Sequence, residues 1–195
     1  MQDGPGFFLV PGPAPLPIRI RLETPGDLPG VRHVNLRAFT GPEEADIVDA
    51  IREAAPEGFL SLVAVGGPDT PHDGIVVGHL LLSPCDVEDK AGRRLGTVTA
   101  IGPVAVLPEV QGRGVGSALM TSAISVAVAR TIPALVLLGY PDYYGRFGFA
   151  SARDAGLQPP ADAWPDAAWM ARRLPAWTDD LRGTVRYPAE FGPLA

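Results

Sequence analysis

The chain is poor in the residues that several large classes of protein need. It has one cysteine, Cys85, and one lysine, Lys90. A single cysteine excludes an internal disulfide and suits a reducing compartment. No apolar run reaches the length of a transmembrane helix. The N-terminal residues lack the basic start and long apolar stretch of a signal peptide, so the expected location is the cytoplasm, with no membrane partner. Cationic charge is also scarce: 16 Lys and Arg stand against 22 Asp and Glu, a net charge of −6. That balance argues against a nucleic-acid binder and permits a cationic substrate without demanding one. The three histidines show no metal-ligand spacing. His72-Asp73 has no third ligand, and no metal is expected. No Gly-x-Ser-x-Gly elbow is present, which leaves a serine hydrolase unsupported.

The remaining composition is that of an ordinary globule, with 46% hydrophobic and 19% charged residues in 195. This length predicts one domain with a sizeable core. Residues 1–16, rich in proline and glycine, are expected to be a flexible leader, and 17–195 the folded domain. Ile18–Leu22 alternates at period two and predicts a first strand. Thr24, Pro25 and Asp27 form a helix-start signal for a helix reaching about Phe39. Gly41-Pro42 breaks it, and Glu43–Ala55 predicts a second helix. Strands are expected at Leu60–Val65, Ile75–Leu82 and Thr97–Val106, with Ser83–Arg94 as a polar turn. Ser117–Arg130 predicts a helix and Ala134–Leu138 a buried strand. Two short strands are expected near Ala152–Leu157 and Ala168–Leu174. The order implies a mixed α/β (α+β) sheet with helices on both faces.

Chemistry concentrates in two segments. In the first, the strand ending at Val106 and a Leu-Pro-Glu bend lead into Gln111-Gly112-Arg113-Gly114-Val115-Gly116, the pattern Q-x-x-G-x-G. A helix follows from Ser117. The first-turn N–H groups of a helix have no intrahelical partner and carry the positive end of its dipole. Glycines let an anion approach the backbone, so this turn is a candidate pyrophosphate cradle. A Rossmann turn would need a third glycine where Ser117 or Leu119 stands, which makes a dehydrogenase improbable. A P-loop would need a lysine, and Lys90 lies far from the turn. The second segment, Tyr140-Pro-Asp-Tyr-Tyr-Gly-Arg-Phe-Gly-Phe149, follows the strand at Ala134–Leu138.

Together these segments resemble the acyl-CoA signature and the downstream aromatic-Tyr-x-Arg-x-Gly-Phe motif of the GNAT superfamily of N-acetyltransferases. The resemblance spans roughly residues 17–190. The front segment Arg37-Ala-Phe39 and the tail Gly183–Phe191 further resemble a predicted, sparsely characterised branch of it. The resemblance implies a mostly antiparallel central sheet and acetyl-CoA as co-substrate. It implies transfer of acetyl to a primary amine, on a small molecule or a peptide, by direct attack in a ternary complex. Main-chain groups of Val104, Ala105 and Val106 would pair with the pantetheine arm. Gln111, Gly112, Arg113, Gly114, Val115, Gly116 and Ser117 would take the pyrophosphate. Tyr144 would face the cofactor sulfur, and a phenol can protonate a leaving thiolate; hydrogen bonding to the sulfur, or core packing, is the structural alternative.

The strand feeding the turn lacks the glutamate that serves some relatives as general base. His79 on the preceding strand is the candidate base, with a satisfied half-buried histidine, or a water chain to a backbone carbonyl doing the work instead, as the alternatives. Glu109 is expected to face solvent. Glu43, Glu44, Asp46 and Asp49 form an acidic cluster, read either as a solvated helix face or as an attractor for a cationic acceptor. Relatives often place an asparagine before the short catalytic helix, but here the stretch is Leu137-Leu-Gly-Tyr-Pro-Asp142. The other function carried forward is a non-catalytic acyl-CoA-binding module on the same fold. C-terminal strands in the superfamily often pair across a dimer, which leaves a homodimer open.

Overall fold

A computed structural model of the chain describes residues 14–54, 57–161 and 164–194. Its elements are β1 (Ile18–Leu22), α1 (Leu28–Ala38), α2 (Glu43–Ala54), β2 (Leu60–Gly66), β3 (Val76–Glu88) and β4 (Arg94–Val106). After these come α3 (Val115–Ala129), β5 (Ala134–Leu138), α4 (Pro141–Tyr144), β6 (Ala150–Ser151), β7 (Leu157–Gln158), β8 (Trp169–Arg173) and β9 (Gly183–Arg186). One sheet runs in the order β1-β2-β3-β4-β5-β8-β6, with β9 beside β3 and β7. Its pairings are antiparallel except β4 with β5 and β7 with β9. No helix among the described residues is long and apolar enough to cross a membrane.

Adjacent residues on β3 show that helices cover both faces. His79 reaches Asn35 of α1 on one side. On the other, a Cβ at Gly78 would lie 2.8 Å from Val115 and 3.0 Å from Leu119 of α3. Successive strand residues point to opposite faces, so α1 and α3 lie across the sheet from each other. Gly78 is the gap through which α3 closes on the sheet. The start of α1 is held by Asp27, which accepts from the Thr24 N–H at 2.8 Å and hydroxyl at 2.7 Å and from both terminal nitrogens of Arg21. These bonds hold the Asp27 carboxyl well below its usual range, with Arg21 the largest cause.

Three sequence expectations are corrected. The stretch Ser83–Arg94 is mostly strand rather than turn. Cys85 and Val87 are buried while Asp86 and Glu88 turn outward, so its polar residues are one face of a period-two pattern. That extension lets β9 pair with Asp86–Glu88. Around 152–157 the chain turns instead of extending. The Ala155 and Leu157 N–H groups donate to the Ala152 carbonyl, and Gly156 takes a left-handed φ of 79°. Finally, the fold begins inside the expected leader. Leu16 is buried in the main core, and its N–H donates to the Arg113 carbonyl at 3.1 Å. Leader residues 1–13, and Ala55 at the expected end of the second helix, lie outside the described residues.

Candidate active site

The site forms where β4 leaves β5. Their pairing consists of Thr99 with Leu135 and Ala100 with Val136. Beyond Ala100 the edge of β4 that faced β5 is open, and a register shift opposite Leu80–Leu82 marks the departure. The Leu107 N–H donates to the Val77 carbonyl at 3.0 Å. Antiparallel pairs alternate between bonded and non-bonded. In the register Gly78–Val106, His79–Ala105, Leu80–Val104, Ala105 therefore directs its N–H and C=O at β3. Val104 and Val106 direct theirs into the opening. The Val106 carbonyl is met there by Gln111 Nε2 at 3.1 Å. Of the three residues expected to offer free main-chain groups, Val104 and Val106 fit and Ala105 does not, because its groups serve the sheet.

The turn after β4 has the expected cradle geometry. Gly112 and Gly114 take φ of 72° and 84°, a left-handed conformation that a Cβ disfavours. Gly114 caps α3, and the first intrahelical bond runs from the Ala118 N–H to the Gly114 carbonyl at 3.0 Å. The N–H groups of Val115, Gly116 and Ser117 are thus free of helix partners at the positive end of a 15-residue helix. Arg113 departs from expectation. Its Nε donates to the Ala14 carbonyl at 3.1 Å, so its side chain ties down the incoming chain rather than standing over the turn.

Opposite this turn, α4 carries two tyrosines edge to face, with ring centroids 4.9 Å apart. The Tyr143 hydroxyl closes on the turn: a Cβ at Gly116 would lie 2.8 Å from it. The Tyr144 ring lies over Gly139, where a Cβ would come within 2.2 Å of its Cε2. The missing side chain of Gly139 is the space the ring occupies. Burial, with a smaller contribution from Tyr143, pushes the Tyr144 phenol up to about 12, so it is fully protonated at neutral pH.

Two cavities meet at Tyr144. One, of about 460 Å³, runs along Val104, Val106, Gln111, Gly112 and Gly116 to Tyr143 and Tyr144. The other, of about 380 Å³, lies between α2 and the C-terminal segment, walled by Glu44, Ile47, Trp164, Tyr187 and Phe191. Phe39, Val104, Tyr140 and Tyr144 line both.

His79 is not part of this site. It is fully buried and lines neither cavity. Asn35 Nδ2 donates to the Val31 carbonyl at 2.9 Å and contacts His79 Nδ1 at 3.1 Å. Ser61 Oγ lies 2.5 Å from Glu23, to which it donates, and 2.9 Å from His79 Nε2. The hydroxyl proton being committed to Glu23, Nε2 carries the imidazole hydrogen and Nδ1 accepts from Asn35. Both nitrogens are satisfied, and burial together with nearby Arg52 lowers the His79 pKa to about 3. The histidine expected as a base is a neutral link in a buried network. Glu109 is half-exposed and pairs with Arg37 at 3.5 Å. Among the described residues no group of three or more His, Cys, Asp or Glu could hold a metal ion.

The acidic cluster on α2 divides. Asp46 and Asp49 are engaged by Arg32, and Asp49 also by Arg52, whereas Glu44 faces the second cavity. Trp164, Tyr187 and Phe191 were not singled out as site residues by sequence reasoning. The one available signal was the resemblance of the tail that contains Tyr187 and Phe191.

Residues 28–149, which contain the open strand, the glycine turn and α4, match the family model of the GNAT acetyltransferases. The chain belongs to the GNAT acetyltransferase family. Its curated relatives include the Escherichia coli K12 uncharacterized N-acetyltransferase YhbS, 32% identical over 178 residues, 88% of this chain and 97% of that one. YjhQ of the same organism, also an uncharacterized N-acetyltransferase, is 33% identical over 86% of this chain and 92% of its own. The solved structure of E. coli YhbS in complex with CoA superposes with a TM-score of 0.78 and 28% identity, over 100% of this chain and 98% of that one. A GNAT acetyltransferase from Brucella melitensis in complex with acetyl-CoA gives 0.70 and 31%, over 89% of this chain and 97% of its own. Fold and family therefore agree with the expectation from the two motifs, and the GNAT domain is an acyltransferase.

Proposed function

We propose that this GNAT domain transfers the acetyl group of acetyl-CoA to a primary amine by direct attack in a ternary complex. The observation that carries the reading is that the Tyr144 phenol is a common wall of two cavities, one running to the glycine turn and the other opening on the far side. Such a wall lets donor and acceptor meet without a covalent enzyme intermediate.

The donor is held by backbone. Free N–H groups of Val115, Gly116 and Ser117 take the pyrophosphate. The open edge of β4 at Val104 and Val106 receives the pantetheine amides like an added strand, and a free N–H there can stabilise the thioester oxygen as charge grows on it. The ammonium first gives a proton to water, its freed lone pair forms the new C–N bond, the C–S bond breaks, and the nitrogen gives its second proton to water. Tyr144, a phenol protonated at neutral pH, gives its proton to the leaving sulfur and is then reprotonated from solvent. The balance is one ammonium and one thioester giving one amide, one thiol and one proton released.

The test is thiol release from acetyl-CoA over a panel of amines, beside calorimetry of CoA. Expected are CoA binding, amine-dependent release, and a Tyr144→Phe variant that binds CoA normally but releases about 100-fold more slowly. Binding with no release for any amine would overturn the transferase reading in favour of a binding module.

A further inference from the structure

The second cavity bears on what the acceptor is, an inference that rests on the transferase reading above. It is mostly apolar, with the rings of Phe39, Trp164, Tyr187 and Phe191 and the side chain of Ile47 on its walls. The aromatic residues brace one another edge to face: Trp164 to Tyr187 at 5.5 Å and Tyr187 to Phe191 at 4.9 Å between centroids. Among the described residues its lining contains one carboxylate, Glu44, and no lysine, arginine or histidine. Glu44 makes no ion pair among the described residues, whereas its helix neighbours Asp46 and Asp49 are held by arginines. The cavity thus offers one anion, unneutralised by neighbours, in an apolar chamber bounded by Tyr144.

We infer that the acceptor is a small monoamine carrying its amino group on a short tether from an aromatic or bulky apolar body, with Glu44 holding the ammonium. The chemistry excludes the other common amines. A free amino acid would bring a carboxylate into a chamber with one carboxylate and no cation. A polyamine or aminoglycoside would bury further charges or hydroxyls against rings that cannot pair with them. An arylalkylamine satisfies both features, with its ring against Trp164, Tyr187 and Phe191 and its charge at Glu44. Cation–π attraction to the same rings reinforces the charge term.

The full chain, with saturating acetyl-CoA, is assayed for thiol release against 2-phenylethylamine, tryptamine, phenylalanine, spermidine and an aminoglycoside. Expected is a kcat/KM for the two arylethylamines at least about tenfold above the others. Glu44→Gln, a half-exposed change that leaves the fold intact, raises the arylethylamine KM about tenfold while the acetyl-CoA KM stays within about twofold. Trp164→Ala removes the preference for an aromatic body, and Trp164→Phe retains part of it. Faster turnover of spermidine, the aminoglycoside or the amino acid would overturn the acceptor class and leave the transferase reading standing. An unchanged KM in Glu44→Gln would overturn the role of the carboxylate. Release with no amine at all would overturn both readings together.

Discussion

Replacing Gly139 by alanine tests whether the position of Tyr144 governs turnover. Gly139 has no left-handed φ, so alanine fits its backbone, and its N–H keeps the bond to the Ala168 carbonyl at 2.9 Å. The added Cβ would lie 2.2 Å from Tyr144 Cε2 and 2.7 Å from Cδ2. Carbon atoms settle no closer than about 3.5 Å, so the ring must withdraw by roughly 1.3 Å. The ring is half-buried on a four-residue helix and is the part that gives way. A displacement of about 1 Å at a reacting group costs on the order of 100-fold in rate, or about 2.7 kcal/mol of barrier. Thiol-release kinetics should show that loss in kcat, with CoA affinity by calorimetry within about threefold because the turn amides are untouched. The neighbouring Gly145→Ala is the contrast. A Cβ there meets nothing within 4 Å, and its kcat should stay within about twofold of the parent. A Gly139→Ala enzyme as fast as the parent would refute the claim that the Tyr144 ring position sets the rate.

Other outcomes follow from the shifted groups. The Tyr144 phenol, at about 12, should remain an acid throughout the assayable range. A pH–kcat profile should show no alkaline loss attributable to it below about pH 10; a tyrosine-dependent fall near pH 9 would contradict the burial argument. His79 has a folded pKa of about 3, below its ordinary 6.5, so the unfolded chain takes up a proton that the folded chain refuses. Its stabilising contribution is complete above about pH 6.5 and is lost as pH falls, by about 1.4 kcal/mol per unit. Urea unfolding at pH 7, 6 and 5 should show that slope in the parent and a flatter one in His79→Gln. Burial raises the Cys85 thiol to about 12. Ellman's reagent at pH 8 should find no thiol in the native protein and one equivalent after denaturation.

Much of the site was legible because local chemistry demanded it. Left-handed glycines at 112 and 114, a bend before them and a glycine-free helix after them are all local requirements, and they read as a cradle before any contact was known. The resemblance of the segment ending at Phe149 pointed to Tyr144. His79 read as a candidate base because a histidine on a central strand carries no local sign of what covers it. Asn35 and Ser61, 44 and 18 residues away, take both its nitrogens. Ala105 was misjudged for a related reason. A strand residue's free side depends on register, and a shift of one residue exchanges which carbonyls face the opening. The first half of the turn expected at Ser83–Arg94 was strand because its charges at 86 and 88 alternate with buried residues, a pattern that polar composition conceals, and only 89–93 turns.

The sequence alone determined the mixed sheet with helices on its two faces and the glycine turn, while its resemblance to known acetyltransferases pointed to the family and to Tyr144. The sheet and the turn are written in short-range spacing, which is set by backbone geometry over a few residues. Only the tertiary structure decided that Glu44 faces a cavity while Asp46 and Asp49 are tied to arginines. It also decided that Arg113 holds Ala14 and that aromatic residues from 39 to 191 meet around one chamber. Those outcomes depend on packing between segments distant in the chain, where side chains find partners that no local pattern announces.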